Sequence, residues 1–151
     1  MNHVSDKYLI VYYSLSGNTK RISEIIEENL ISRGKEVTIF PLTNQSIFGD
    51  VDIEVYNHVF IGSPTYGYGK TPGNVRKFLR YLLIENTFKL PTFSVFGSGE
   101  TQWEHYCRAV DELEFHLSKA TNVLSKLKIE QYPINPKQKM KISDYTYQIL
   151  K

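Results

Sequence analysis

With 151 residues, of which 41% are hydrophobic and 23% charged, the chain is long enough for one compact core, and nothing in its composition calls for a second domain. A formal charge of +2 is too small to point to nucleic acid. No apolar stretch reaches the length of a membrane span, the stretch Met1 to Lys7 is polar rather than signal-like, and the lone Cys107 excludes an internal disulfide, so a cytoplasmic protein without a membrane partner is expected.

Taken in chain order, apolar runs at about 8–13, 36–40, 57–62, 91–96 and 125–131 predict five strands. All but the second are followed by a helical pattern. The first helix carries Ile22, Ile25, Ile26 and Leu30 on one face and stops near Gly34. From Leu42 to Asp52, Pro41, Asn44 and Gly49 allow only a short helix or an irregular loop. A helix beginning at Pro72 repeats Val75, Phe78, Leu79, Leu82 and Leu83. The next crossover runs from about Glu104 to Lys119, with Tyr106, Ala109, Val110, Leu113 and Leu117 as its buried stripe, and a last helix follows Pro136 with Ile142, Tyr145 and Ile149. Strands alternating with helices in this way predict right-handed crossovers and a parallel sheet covered by helices on both faces. Charge clusters locally: Glu24, Glu27 and Glu28 lie on the first helix, Lys70, Arg76, Lys77 and Arg80 form a basic stretch, and the tail from Lys137 to Lys151 is rich in lysine. A solvated helix face accounts for each group, and a docking surface for a charged protein is the open alternative.

The junction between the first strand and the first helix reads Ser14-Leu15-Ser16-Gly17-Asn18-Thr19. Backbone N–H groups opening a helix have no intrahelical partner, and the helix dipole adds positive potential, so a phosphate can be held there without lysine or arginine. Ser14, Ser16 and Thr19 add hydroxyls, Asn18 an amide, and Gly17 permits close approach of the backbone. The alternative is an N-cap turn rich in Ser and Thr. This segment resembles the phosphate loop of flavodoxins, which bind flavin mononucleotide (FMN). The loop after the third strand, Ser63-Pro64-Thr65-Tyr66-Gly67-Tyr68-Gly69-Lys70-Thr71-Pro72, is similar to the flavodoxin pattern Thr-x-Thr-Trp-Gly-Asp-Gly-x-x-Pro. The segment Phe96-Gly97-Ser98-Gly99-Glu100-Thr101-Gln102-Trp103, followed by Tyr106-Cys107-Arg108-Ala109-Val110-Asp111, resembles the flavodoxin Gly-Ser-Gly-Asp loop with its Phe-Cys-x-Ala-Val-Asp continuation.

The resemblance, closest to short-chain flavodoxins because Lys126 to Gln131 runs without a long insertion, implies a flavodoxin-like doubly wound five-stranded sheet of order 2-1-3-4-5 in one domain. Ligands in such sheets sit outside the carboxyl ends of the strands, where the winding reverses. It implies FMN contacts from Ser14 to Thr19, from Pro64, Thr65, Tyr66, Gly67, Tyr68 and Gly69, and from Gly97, Ser98, Gly99, Glu100, Thr101, Trp103, Tyr106 and Cys107. Within that set Tyr66 and Trp103 stack on the two faces of the ring, Gly67-Tyr68 stands beside flavin N5, and the amides of Gly99 to Thr101 meet the pyrimidine edge. Tyr106 and Cys107 serve chiefly as helix packing, with Cys107 a buried thiol. The implied role is a monomeric one-electron carrier without catalytic residues, working between a flavodoxin reductase and acceptor redox proteins.

The chain departs from the family pattern at Tyr68 and Lys70, where many flavodoxins carry acids, so a less negative second potential is expected, tempered by Glu100. The segment Tyr66 to Pro72 also resembles the small flavoprotein that activates the manganese class Ib ribonucleotide reductase. A quinone or azo reductase and a binding module without flavin are the remaining readings. Gly69-Lys70-Thr71 is not a nucleotide triphosphate loop, because Pro64 stands where its first glycine belongs. His3, His58, His105 and His116 show no metal-ligand grouping and suit surface or satisfied core roles.

Overall fold

The computed structural model describes residues 6–66, 70–85, 89–99, 106–130 and 135–150. Strand β1 (Lys7–Tyr12) is buried from Tyr8 onward, as expected of a central parallel strand covered on both faces. It pairs with β2 (Glu36–Pro41) on one side and β3 (His58–Pro64) on the other. Next come β4 (Thr92–Gly99) and β5 (Val123–Glu130), giving a five-stranded parallel sheet of order β2-β1-β3-β4-β5. This is the order that the resemblance implied.

Alternation along the strands sends side chains to two cores. Leu9, Val11, Val59, Ile61, Phe93 and Val95 meet Val75 and Phe78 of α2 (Gly73–Arg80) and Val110, Leu113 and Leu117 of α3 (Arg108–Leu117). Tyr8, Ile10, Phe60, Phe96, Leu127 and Ile129 meet Ile22, Ile25, Ile26 and Leu30 of α1 (Asn18–Ser32) and Ile142 and Tyr145 of α4 (Pro136–Gln148). Each of the four aliphatic side chains that α1 buries contributes about 2 kcal/mol relative to exposure, which outweighs the modest helix propensity of its isoleucines. The helix ends where Gly34 turns left-handed at φ 73° and donates its N–H to Ile31 O. Helix α4 opens with Pro136 inside a capping box in which the Asn135 side chain and Gln138 satisfy each other's backbone N–H groups.

Boundaries depart from the expected ones where local geometry intervenes. Helix α3 begins at Arg108 rather than near Glu104, because Cys107 takes a left-handed conformation (φ 50°) that leaves Tyr106 in the preceding turn. Strand β5 starts at Val123, two residues early, where Val123 pairs with Phe93 across a one-residue register irregularity before Ser94 meets Ser125. The Leu42 to Asp52 region holds a single 3-10 turn at Phe48–Asp50, with a second following at Ile53–Val55. Helix α2 runs on into a π turn at Tyr81–Glu85. Among the described residues no helix is long and apolar enough to cross a membrane.

Candidate functional site

The carboxyl ends of β1, β3 and β4 lie side by side, so the segments that leave them start from one edge of the sheet. Beyond β1 the chain turns into α1 through Gly17, which occupies the N-cap position at φ 96° and ψ −8°. That left-handed conformation is what glycine supplies. The Gly17 N–H donates to Ser14 Oγ at 3.1 Å, and Asn18 Nδ2 donates to Ser16 Oγ at 3.1 Å, so the loop is braced by its own side chains. No side chain caps α1, and its first turn contains no acid. The positive end of the helix is therefore left for an external acceptor. Leu15 points into solvent, 67% exposed, whereas Asn18 and Thr19 are buried. Thr19 Oγ1 and Ser98 Oγ lie 3.0 Å apart, which ties the first turn of α1 to the end of β4.

The loop after β3 is held from several sides. Ser63 Oγ donates to Pro64 O at 2.7 Å, and the Thr65 N–H donates to Ser98 O at 3.3 Å. Thr65 Oγ1 accepts from the Ala109 N–H at 3.0 Å and so caps the first turn of α3 from outside. Tyr66 donates its N–H to Lys70 O at 2.9 Å and its hydroxyl to the Tyr13 hydroxyl at 3.1 Å. Burial first, and then the Tyr13 hydrogen bond, push the Tyr66 phenol up to about 12, so it stays neutral.

Strand β4 ends in Gly97, Ser98 and Gly99, all buried. A Cβ at Gly97 would stand 2.4 Å from Ser63 O and 2.6 Å from Val110 Cγ2, so only glycine lets β3, β4 and α3 approach this closely. Cys107 is fully buried, with Sγ 3.8 Å from both Gly97 O and Ile129 O. Burial pushes its thiol up to about 11, which keeps it protonated and a poor nucleophile. Tyr106 is half-buried, and its phenol is also raised by burial and then by the neighbouring thiol. Gly67, Tyr68, Gly69, Glu100, Thr101 and Trp103 lie outside the described residues.

Hydroxyls and free amide hydrogens at the start of α1 make a donor set that fits a phosphate monoester. The family model described as Flavodoxin matches residues 10–139, most of the chain. The chain belongs to the flavodoxin family. It is 35% identical over 132 residues to probable flavodoxin 2 of Bacillus subtilis (strain 168), covering 84% of this chain and 83% of that one. It is also 32% identical over 130 residues to the flavodoxin of Maridesulfovibrio salexigens, covering 84% and 88%. Among solved structures, oxidised flavodoxin 2 from Bacillus cereus superposes with a TM-score of 0.84 at 29% identity, covering 95% of this chain and 97% of that one. These relatives favour the carrier over the activator and reductase readings. One residue of this flavodoxin escaped the sequence pattern. Tyr13 precedes the loop and looks like the end of a strand, yet its hydroxyl meets that of Tyr66; the only hint is an aromatic directly before Ser14.

Proposed function

We propose that this flavodoxin holds FMN across the carboxyl ends of β1, β3 and β4 and carries single electrons between partner proteins. The observation that carries this is the start of α1, lined with hydroxyls, uncapped and free of acid, opening beside the Tyr66 loop. Ser14 to Thr19 bind the phosphate, Pro64 to Tyr66 lie against the ring, and Gly97 to Gly99 close the pyrimidine side. The family pattern adds Gly67, Tyr68, Gly69, Glu100, Thr101 and Trp103, with Tyr106 and Cys107 packing behind. When bound, the flavin supplies the electron chemistry, and the chain contributes orientation, exclusion of water and local charge. A flavodoxin reductase is the proposed donor and other redox proteins the acceptors, met by a cytoplasmic monomer. The exposed Lys70, Arg76, Lys77 and Arg80 favour partners whose docking surfaces are acidic.

Two measurements test this reading. Anaerobic redox titration of the FMN-loaded protein should resolve two separate one-electron steps. A single two-electron step, together with steady-state turnover of quinones by a nicotinamide donor, would replace the carrier with an enzyme. Riboflavin, which lacks the phosphate, should bind at least about tenfold more weakly than FMN if the amides and hydroxyls of the loop contribute a charge-assisted set of hydrogen bonds.

A further inference from the structure

Tyr13 stands one residue beyond β1, where its backbone N–H donates to Gly62 O at 3.1 Å and its ring packs against the core beneath α2 and α3. Its place is therefore set by the sheet. Tyr66 is held differently: its neighbour Thr65 is bonded to β4 through Ser98 O and to α3 through the Ala109 N–H, while the hydroxyl at the far end of the Tyr66 side chain reaches Tyr13 at 3.1 Å. The phenol oxygen lies on the Cβ–Cγ axis of the ring, so holding both the backbone and the hydroxyl fixes the first torsion and with it the place of the ring.

We propose that Tyr13 is a positioning residue for the flavin-binding loop, its hydroxyl locking the Tyr66 ring in place before the cofactor arrives. This rests on the reading that FMN lies against Tyr66. A ring held in advance loses little rotamer freedom on binding, so the Tyr13 hydrogen bond is converted into cofactor affinity without Tyr13 stacking on the ring. Tyr66 itself stays uncharged across the physiological range, since burial and then the Tyr13 hydrogen bond push its phenol up to about 12. It presents its ring without adding negative charge beside the flavin.

The test is a double-mutant cycle on FMN affinity, read by quenching of flavin fluorescence, in wild type, Y13F, Y66F and the double variant. Both phenylalanine variants keep the ring volume, and each removes the same hydrogen bond from one side. Each single variant should bind FMN about fivefold more weakly, and the double variant should be no weaker than either. In flavin-free protein, the tyrosine Cζ carbon-13 shifts should show Tyr66 titrating nearer the ordinary phenol value in Y13F than in wild type. Equal FMN affinity in wild type and Y13F, alongside a lowered Tyr66 titration, would overturn the positioning role and leave the cofactor reading standing. Losses that multiply in the double variant would overturn it too, since the hydroxyls would then act separately. Failure of the wild type to bind FMN would remove the cofactor reading and this role together.

Discussion

The sheet carries a polar cluster at each of its ends, and the two are finished in different ways. At the amino ends of β3 and β4, the His58 ring sits between Thr92 Oγ1 at 2.7 Å and Ser94 Oγ at 2.8 Å, and Ser94 Oγ meets Ser125 Oγ at 2.9 Å. That cluster is closed: its members satisfy each other. At the carboxyl ends, Thr19 and Ser98 pair at 3.0 Å, but the amides of α1 beside them have neither a cap nor an acid. Among the described residues no buried side-chain polar atom lacks a partner, and what the carboxyl end leaves without a side-chain cap is the first turn of α1, whose amides have no acceptor within the helix. A polar cluster that completes itself is structure, and one that stops short is where a ligand is expected.

The largest effect expected from this contrast belongs to the closed cluster. Burial holds His58 at about 4, below its ordinary 6.5, so the folded protein keeps the ring neutral while the unfolded chain charges it. The unfolded state then binds the extra proton between those two values, and stability present above pH 6.5 falls as the pH drops towards 4, by about 3 kcal/mol in all. Urea unfolding of the flavin-free protein between these limits should show the loss, and H58F should remove this part of the slope while binding FMN with wild-type affinity. A slope unchanged by H58F would show that the acid sensitivity lies elsewhere. A loss of FMN affinity would show that the two ends are coupled.

The next effect strikes the open end. In Gly97→Ala the new Cβ meets Ser63 O, a backbone atom, so β3 and β4 must part; the cost is about 2 kcal/mol, and Ser98 moves with its strand. Stability and FMN affinity should therefore fall together. Gly49→Ala, with nothing within 4 Å of the added carbon, serves as the matched control and should change stability by less than about 0.5 kcal/mol. A Gly97 variant that loses stability yet binds FMN normally would show that strand spacing does not set the site.

The closed and open ends were not equally legible in the sequence. The order of strands and helices was, since long apolar runs such as Tyr8 to Tyr13 and helical stripes such as Ile22 to Leu30 reflect burial directly. The junction from Ser14 to Thr19, with Gly17 opening α1, was legible too, because its residues are adjacent in the chain. What failed was whatever depends on distant neighbours or on backbone conformation. Tyr13 and Tyr66 are 53 residues apart, and nothing local to either announces the other. The late start of α3 turns on the left-handed Cys107, a conformation that residue type does not predict. His58 was expected in a surface or satisfied core role; only the register of β3 against β4, which pairs it with Thr92, identifies the hydroxyls that satisfy it.

The smallest effect separates the two halves of the open end from each other. Gly17 takes φ 96° with no atom within 4 Å of where a Cβ would stand, so alanine there meets no clash and costs only the left-handed backbone, about 1 kcal/mol. The loop can relieve that strain by rotating Gly17 towards negative φ, which would turn its N–H away from Ser14 Oγ and re-aim the neighbouring amides. Those amides are the proposed phosphate donors, whereas Tyr66 is held through its neighbour Thr65, which bonds to Ser98 O and the Ala109 N–H, and through the Tyr13 hydroxyl, none of which involves Gly17. FMN should accordingly bind G17A about fivefold more weakly while riboflavin binds as it does to wild type, both read by quenching of flavin fluorescence. Equal weakening for the two flavins would mean that the loop supports the ring as well as the phosphate, and the division of the site into a backbone-lined end and an aromatic end would have to be given up.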